Sequence, residues 1–149
     1  MPNTLIHELM SGNPVIDFQH RLLFLMVKKL KSALKSGRGD EVLMEAVQFL
    51  DSYIIEHFND EEEIQKECAY PNFEHHKAHH EQVRKAFLEF KNKIEKRGPN
   101  HLLLIEALTE ISHWLKEHVK IYDKEFIKYY REYYKIADRK ITETISASR

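Results

Sequence analysis

Three short breaks set what this chain can fold into. Gly and Pro are scarce, at 4 each in 149 residues. Most of them gather in Ser36-Gly37-Arg38-Gly39-Asp40, Tyr70-Pro71-Asn72 and Arg97-Gly98-Pro99-Asn100. Between these breaks the apolar residues recur every three or four positions, the period of a helix with one buried face. Ile16, Leu22, Leu23, Met26, Val27, Leu30 and Leu34 mark a first helix over 15–35, entered through Asn13-Pro14. Val42, Ala46, Phe49, Tyr53, Ile54 and Phe58 mark a second over 41–67, and a third spans 73–96. Leu104, Ile105, Leu108, Ile111 and Leu115 carry a fourth from 101 to at least 119. Short connections join antiparallel neighbours, so the expected fold is all-α: an up-down-up-down antiparallel four-helix bundle with an additional C-terminal helical segment. One domain is expected over 1–149, divided into an N-terminal arm (1–14), the bundle (15–122) and a helical tail (123–149). Phe126, Tyr130, Tyr133, Ala137 and Ile141 stripe that tail. It is expected to pack on the end of the bundle and to fray after Ile141, with a docking surface for another subunit or protein as the alternative.

Composition removes several function classes. The 23 basic and 24 acidic residues leave a net charge of -1, so bulk charge draws the chain neither to nucleic acid nor to an anionic membrane. No apolar run approaches the roughly 20 residues of a membrane span. Residues 1–10 lack the basic and apolar stretches of a signal peptide. The lone cysteine, Cys68, permits no internal disulfide, which fits a cytoplasmic setting.

The histidines, 10 in all, carry the functional argument. His57 and Glu61 stand four residues apart on the second helix, as do His76 and His80 on the third, so each pair shares a helix face. The first helix supplies His20 and the fourth His118. Asp123 follows His118 by five residues, about 140° off on an ideal helix, and needs a helix irregularity or the bundle's curvature to reach the same point. His20, His76 and His80 lie near the starts of their helices, and His57, Glu61 and His118 near the ends. In an antiparallel bundle all of these fall at one depth, where metal sites are built from facing helices. His75 and His79 form a second i,i+4 pair rotated by about 100°. Phe73, Val83 and Phe87 share the face of His76 and His80, so His75 and His79 are expected at the surface. His7, His101 and His113 have no partners at the same depth and are expected not to be ligands.

These residues fall into Asp17-Phe18-Gln19-His20, His57-Phe58-Asn59-Asp60-Glu61, His76-Lys77-Ala78-His79-His80 and His118-Val119-Lys120-Ile121-Tyr122-Asp123. Together with Tyr70-Pro71 and Trp114-Leu115, the pattern over about 15–130 resembles the hemerythrin family, and bacterial members in particular. The resemblance implies two non-haem irons: one on His76, His80 and His118, the other on His20 and His57. Glu61 and Asp123 would bridge them with an oxo or hydroxo group, and dioxygen would bind reversibly at the open position of the second iron. It also implies a pocket wall of Trp114, Leu115 and Val119, which Ile16 and Phe24, one turn either side of His20, should extend. The expected activity is binding, with no catalytic residues. Residues 1–15 contain no aromatic residue, unlike many family members, so a different lid over the site is expected.

Other chemistries fit less well. A ferritin-like diiron oxidase uses two Glu-x-x-His pairs, and the spacing here occurs at Glu110 and His113, turned about 140° from His118. A haem attachment sequence is absent, and seven donors exceed the four of a tetrahedral zinc. Sensing of dioxygen or nitric oxide, or a peroxidase-like redox role, would use the same diiron site.

Overall fold

The computed structural model describes residues 10–148. His7 and the rest of residues 1–9 of the expected N-terminal arm lie outside that range. The elements are α1 (Pro14–Ser36), α2 (Gly39–Glu67), α3 (Phe73–Arg97), α4 (His101–Trp114), a π-helical segment (Leu115–Asp123) and α5 (Lys124–Ala147), with no strand among the described residues. The chain is therefore all-α, as the periodicity requires.

Local chemistry fixes where the helices begin and end. Asn13 caps α1, its side-chain oxygen accepting the Val15 and Ile16 N–H groups at 3.0 and 3.2 Å, with Pro14 in the first turn where its missing N–H costs nothing. Asp17, the acid of the first motif, accepts the Ser11 N–H at 2.7 Å, the Ser11 hydroxyl at 2.8 Å and the Gly12 N–H at 3.2 Å. Its carboxylate thus ties the entering chain to α1. Gly37 closes α1 at φ 74, in the left-handed region where a residue without Cβ is unstrained. α2 closes without glycine. Tyr70 N–H reaches Gln65 O at 2.8 Å and Ala69 N–H reaches Lys66 O at 3.1 Å, the paired bonds of a Schellman turn. Ala69 takes its left-handed position at φ 52.

Apolar side chains form layers along the bundle. Leu30, Val42, Leu43, Ala46, Val47, Ile94, Leu103, Leu104 and Ala107 fill the end made by the α1–α2 and α3–α4 turns. Leu23, Val27, Leu50, Tyr53, Ile54, Phe58, Leu115 and Val119 form a second cluster further along. Cys68, Tyr70 and Phe126 close the opposite end. The polar centre described below lies between the second and third clusters.

The C-terminal region departs from expectation. No break separates bundle from tail: α4, the π segment and α5 follow one another without a non-helical residue, the junction residues Leu115 and Lys124 both being right-handed helical. Only Phe126 and Ile127 of α5 are buried, Phe126 in edge contact with Tyr70. Tyr129 anchors the next turn by donating to Cys68 O at 2.7 Å. Past Tyr130 the helix leaves the bundle instead of packing on it, with Tyr133 39% and Ile141 58% exposed. It continues as helix to Ala147 and does not fray at Ile141, because residues 131–147 contain neither Gly nor Pro to stop it.

Candidate metal centre

Seven side chains from α1, α2, α3 and the π segment meet inside the bundle. Glu61, His76, His80, His118 and Asp123 form one group and His20, His57 and Asp123 another, each offering ligand atoms within 4.8 Å of one another. None of the seven is more than 4% exposed. His118 Nε2 lies 2.9 Å from Asp123 Oδ1, and His76 Nε2 lies 3.1 Å from the same atom. His80 Nε2 is 3.1 Å from Glu61 Oε2. His20 Nε2 reaches the other oxygen of Asp123 at 3.1 Å, and Glu61 Oε2 is 4.0 Å from His57 Nε2. Both carboxylates therefore face both groups.

The π segment brings Asp123 into place. A π turn closes residue i on i+5, so His118 and Asp123 come together where an α-helix would set them about 140° apart. This is the irregularity that the five-residue spacing demanded.

The imidazoles follow one pattern. All five turn Nε2 inward, and four hold Nδ1 against an outward partner. His57 Nδ1 donates to Gln19 Oε1 at 2.7 Å, and Gln19 in turn donates to Asp60 at 2.7 Å. His80 Nδ1 donates to Glu62 Oε1 at 2.9 Å. His76 Nδ1 lies 2.9 Å from the Gln65 amide, and His118 Nδ1 lies 2.7 Å from His79 Nδ1. The acceptors Gln19 and Glu62 fix the rings of His57 and His80 with the Nε2 lone pair free for a metal, and the Gln65 amide nitrogen and His79 hold the orientation of His76 and His118.

This last contact corrects one expectation. His79 is not a surface residue: it is half-buried, stacked on Tyr122 and on His118 with ring centroids 4.3 and 4.9 Å away. Burial, with His118 beside it, lowers it to about 4, so it meets His118 as a neutral acceptor. His76 and His80 are buried together on the inner face of α3. A pair rotated by one residue looks solvent-facing in a helical projection, but the splay of the π segment supplies it with a neighbour. His75 and His101 are exposed, and His113 pairs at the surface with Glu117 at 3.3 Å.

The wall residues are also placed. Ile16, Leu115 and Val119 are buried, and Phe24 and Trp114 are half-buried. Leu115 and Val119 pack with Leu23 and Tyr53; Leu23 lies one turn after His20, and Tyr53 one turn before His57. Trp114 instead stacks on His118, 5.2 Å between centroids and 8° from parallel. Leu23 shares the side of His20 in the sequence, but the place of Tyr53 beside His57 and the four outward partners are not read from it. The i−4 and i+3 spacings to His57 and His20 are the signals that point to Tyr53 and Leu23.

The donor set has the chemistry of a cation site. Glu61 Oε1 and Oε2, His57 Nε2, His76 Nε2 and Asp123 Oδ1 are all buried without a properly directed hydrogen bond. They aim at shared points instead of at one another. Burial and Asp123 push the Glu61 carboxyl up, but His76 and His80 outweigh them and hold it well below the usual carboxylate range. Burial likewise opposes ionisation of Asp123, and His118, His20 and His76 overcome it. His57 is driven by burial down to about 3. His76 is also disfavoured by burial, yet Glu61 and Asp123 raise it to about 10. Ionised carboxylates and an unprotonated His57 are already the forms that a first-row divalent ion binds, and His76 would give up its proton to such an ion.

Geometry and relatives point the same way: the chain belongs to the hemerythrin family of cation-binding domains, the Hemerythrin HHE cation binding domain matching residues 11–130. Among its relatives is the bacteriohemerythrin of Campylobacter jejuni, 31% identical over 125 residues, which are 83% of this chain and 92% of that protein. The bacteriohemerythrin of Stenotrophomonas maltophilia is 30% identical over 80% of this chain and 75% of its own length. That of Aquifex aeolicus is 28% identical over 75% and 85%. No helix among the described residues is long and apolar enough to cross a membrane.

Proposed function

We propose that the protein holds two non-haem irons and binds dioxygen reversibly, for carriage, storage or delivery. The observation that carries this reading is the inequality of the two donor groups. One gathers three imidazoles and both carboxylates, the other two imidazoles with a share of the same carboxylates. His76, His80, His118, Glu61 and Asp123 would fill the sphere of the first iron. His20 and His57, with the bridging carboxylates and a solvent-derived oxo or hydroxo group, would leave a position free on the second.

Bound iron supplies the electrons that let dioxygen bind and leave. The protein's part is to hold the pair and keep water out. Leu23, Leu115, Val119 and Ile16 are buried apolar residues that would line the His20–His57 half, and such a dry wall would keep water and protons from it. Sensing is the second reading. It is favoured by the exposed apolar stripe of α5, which offers a partner surface at the end of the bundle nearest the centre.

The test is optical. Iron-loaded protein, reduced without air, is given dioxygen, which is then removed. Two irons per chain and a charge-transfer band that rises and then reverses are expected. Irreversible oxidation on first exposure would refute the carrier reading. Leu115→Glu should wet the wall and speed autoxidation several-fold, and an unchanged rate would remove Leu115 from the pocket.

A further inference from the structure

Tyr53 is left over once the seven donors are assigned. It precedes His57 by one turn of α2, and its ring stacks on the His57 imidazole, 5.2 Å between centroids and 22° from parallel. Leu23, Phe58, Leu115 and Val119 belong to the same buried cluster. The residue is 5% exposed, and its hydroxyl has no hydrogen-bond partner among the described residues. Burying a phenol O–H unpaired is unfavourable, and buried tyrosines ordinarily find an acceptor. Phenylalanine would fill the same space without that penalty. The position therefore makes sense if something that visits it accepts a hydrogen bond.

The surroundings say where that visitor comes from. Tyr53 lines a cavity of about 380 Å³ between α2, α3 and α4, walled by Leu50, Ile54, Val83, Phe87 and Ile111 among others. Trp114 lines it too, and its Nε1 is also buried without a partner. Charged side chains such as Glu89, Lys93, Glu110 and Glu117 also border this cavity; of the two unpaired donors on its apolar part, Tyr53 is the one that lies against His57, in the group with fewer protein donors.

We propose that Tyr53 donates a hydrogen bond to small ligands entering the His20–His57 half of the centre, and so favours ligands whose outer atom is an acceptor, such as dioxygen and azide. Tyr53 is then a specificity residue and not a ligand of the metal. The inference rests on the diiron reading above, and its test separates the two.

The experiment compares the wild type and Tyr53→Phe at equal iron content. Azide affinity of the oxidised protein should fall roughly three- to tenfold in the variant, the range expected for one neutral hydrogen bond, and dioxygen should dissociate faster by a similar factor. The infrared stretch of bound azide should shift between H2O and D2O in the wild type and not in the variant. The metal-free variant should melt no lower than metal-free wild type, since it loses only an unpaired hydroxyl. Unchanged azide affinity with a persisting solvent shift would overturn the proposal and leave the diiron reading standing. A variant that melts lower or fails to take up iron would make Tyr53 structural and also overturn it. A wild type that binds iron but neither azide nor dioxygen would sink both.

Discussion

At one end of the bundle Leu30, Leu43, Leu103 and Leu104 are at most 2% exposed and carry no side-chain polar atom. At the other, the same four-helix frame buries five imidazoles and two carboxylates as deeply. The first end is stable because apolar surface leaves water at about 25 cal/mol per Å². The second gains little that way and must compensate buried charge. Outward partners such as Gln19, Glu62 and Gln65 orient the rings, but several inward atoms have no partner. The apolar end therefore supports a centre that is fully stable only when loaded. Asp123→Asn is the sharpest way to break this comparison. It removes an anionic donor shared by both groups, so iron-loaded protein should lose about 4 kcal/mol or more, the linkage free energy of a ligand at 1,000 times its Kd. The metal-free protein loses only the carboxylate's attraction for His118, His20 and His76 and should be destabilised by clearly less. Leu43→Ala should do the reverse, costing about 3 kcal/mol in both states while iron uptake is unchanged. Denaturant unfolding with and without iron checks both. Equal losses in the two states for Asp123→Asn would erase the distinction between the ends.

Acid sharpens the same contrast. In the metal-free protein His57 and His79 are lowered to about 3 and about 4, against about 6.5 in an unfolded chain. Between pH 6.5 and 4 the unfolded state then binds more protons than the folded one, so stability falls as pH falls through that window. The depressed carboxyls of Glu61 and Asp123 act in the same direction as the pH drops further. His76 is raised to about 10, so its contribution is complete below pH 6.5 and disappears as pH rises through 10. The melting temperature of metal-free protein should therefore peak near neutrality and fall on both sides. Asp123→Asn and His79→Gln should each flatten one or both limbs, and Leu43→Ala should lower the whole curve without changing its shape.

The sequence made most of this legible because the information was periodic. Helical spacing, three Gly/Pro breaks and antiparallel alternation suffice to place His20, His57, Glu61, His76, His80 and His118 at one depth. Asp123 was legible only as a conflict, since five residues do not fit a regular helix; the π segment resolves it by local backbone geometry that composition does not encode. His79 was misread because its environment is made by a different helix, and projection of α3 alone cannot show what stands opposite. The tail was legible only in its first turns. Of its stripe, Phe126 and Tyr130 do pack on the end cluster, but Tyr133 and Ile141 lie beyond it and are exposed, because the unbroken helix continues past the last residues of the bundle that could cover them.

The turn between α2 and α3 offers the smallest test, and a useful one because it sits beside the centre. Ala69 holds the left-handed corner at φ 52, where a Cβ crowds the following carbonyl and glycine is the usual occupant. The corner is kept in place by Tyr70 N–H on Gln65 O, by Ala69 N–H on Lys66 O and by the Tyr129 hydroxyl on Cys68 O. Gln65 in turn holds His76, so the strain lies one link from a donor. Ala69→Gly should relieve it and raise stability by about 0.5–1 kcal/mol, less the greater freedom of glycine in the unfolded chain. If the stability of the polar end is set by metal binding and not by its backbone, that gain should appear equally in loaded and metal-free protein, with iron affinity unchanged. A gain confined to the loaded form would mean that the corner and the centre are coupled through Gln65, and the boundary between scaffold and site would move outward by one turn.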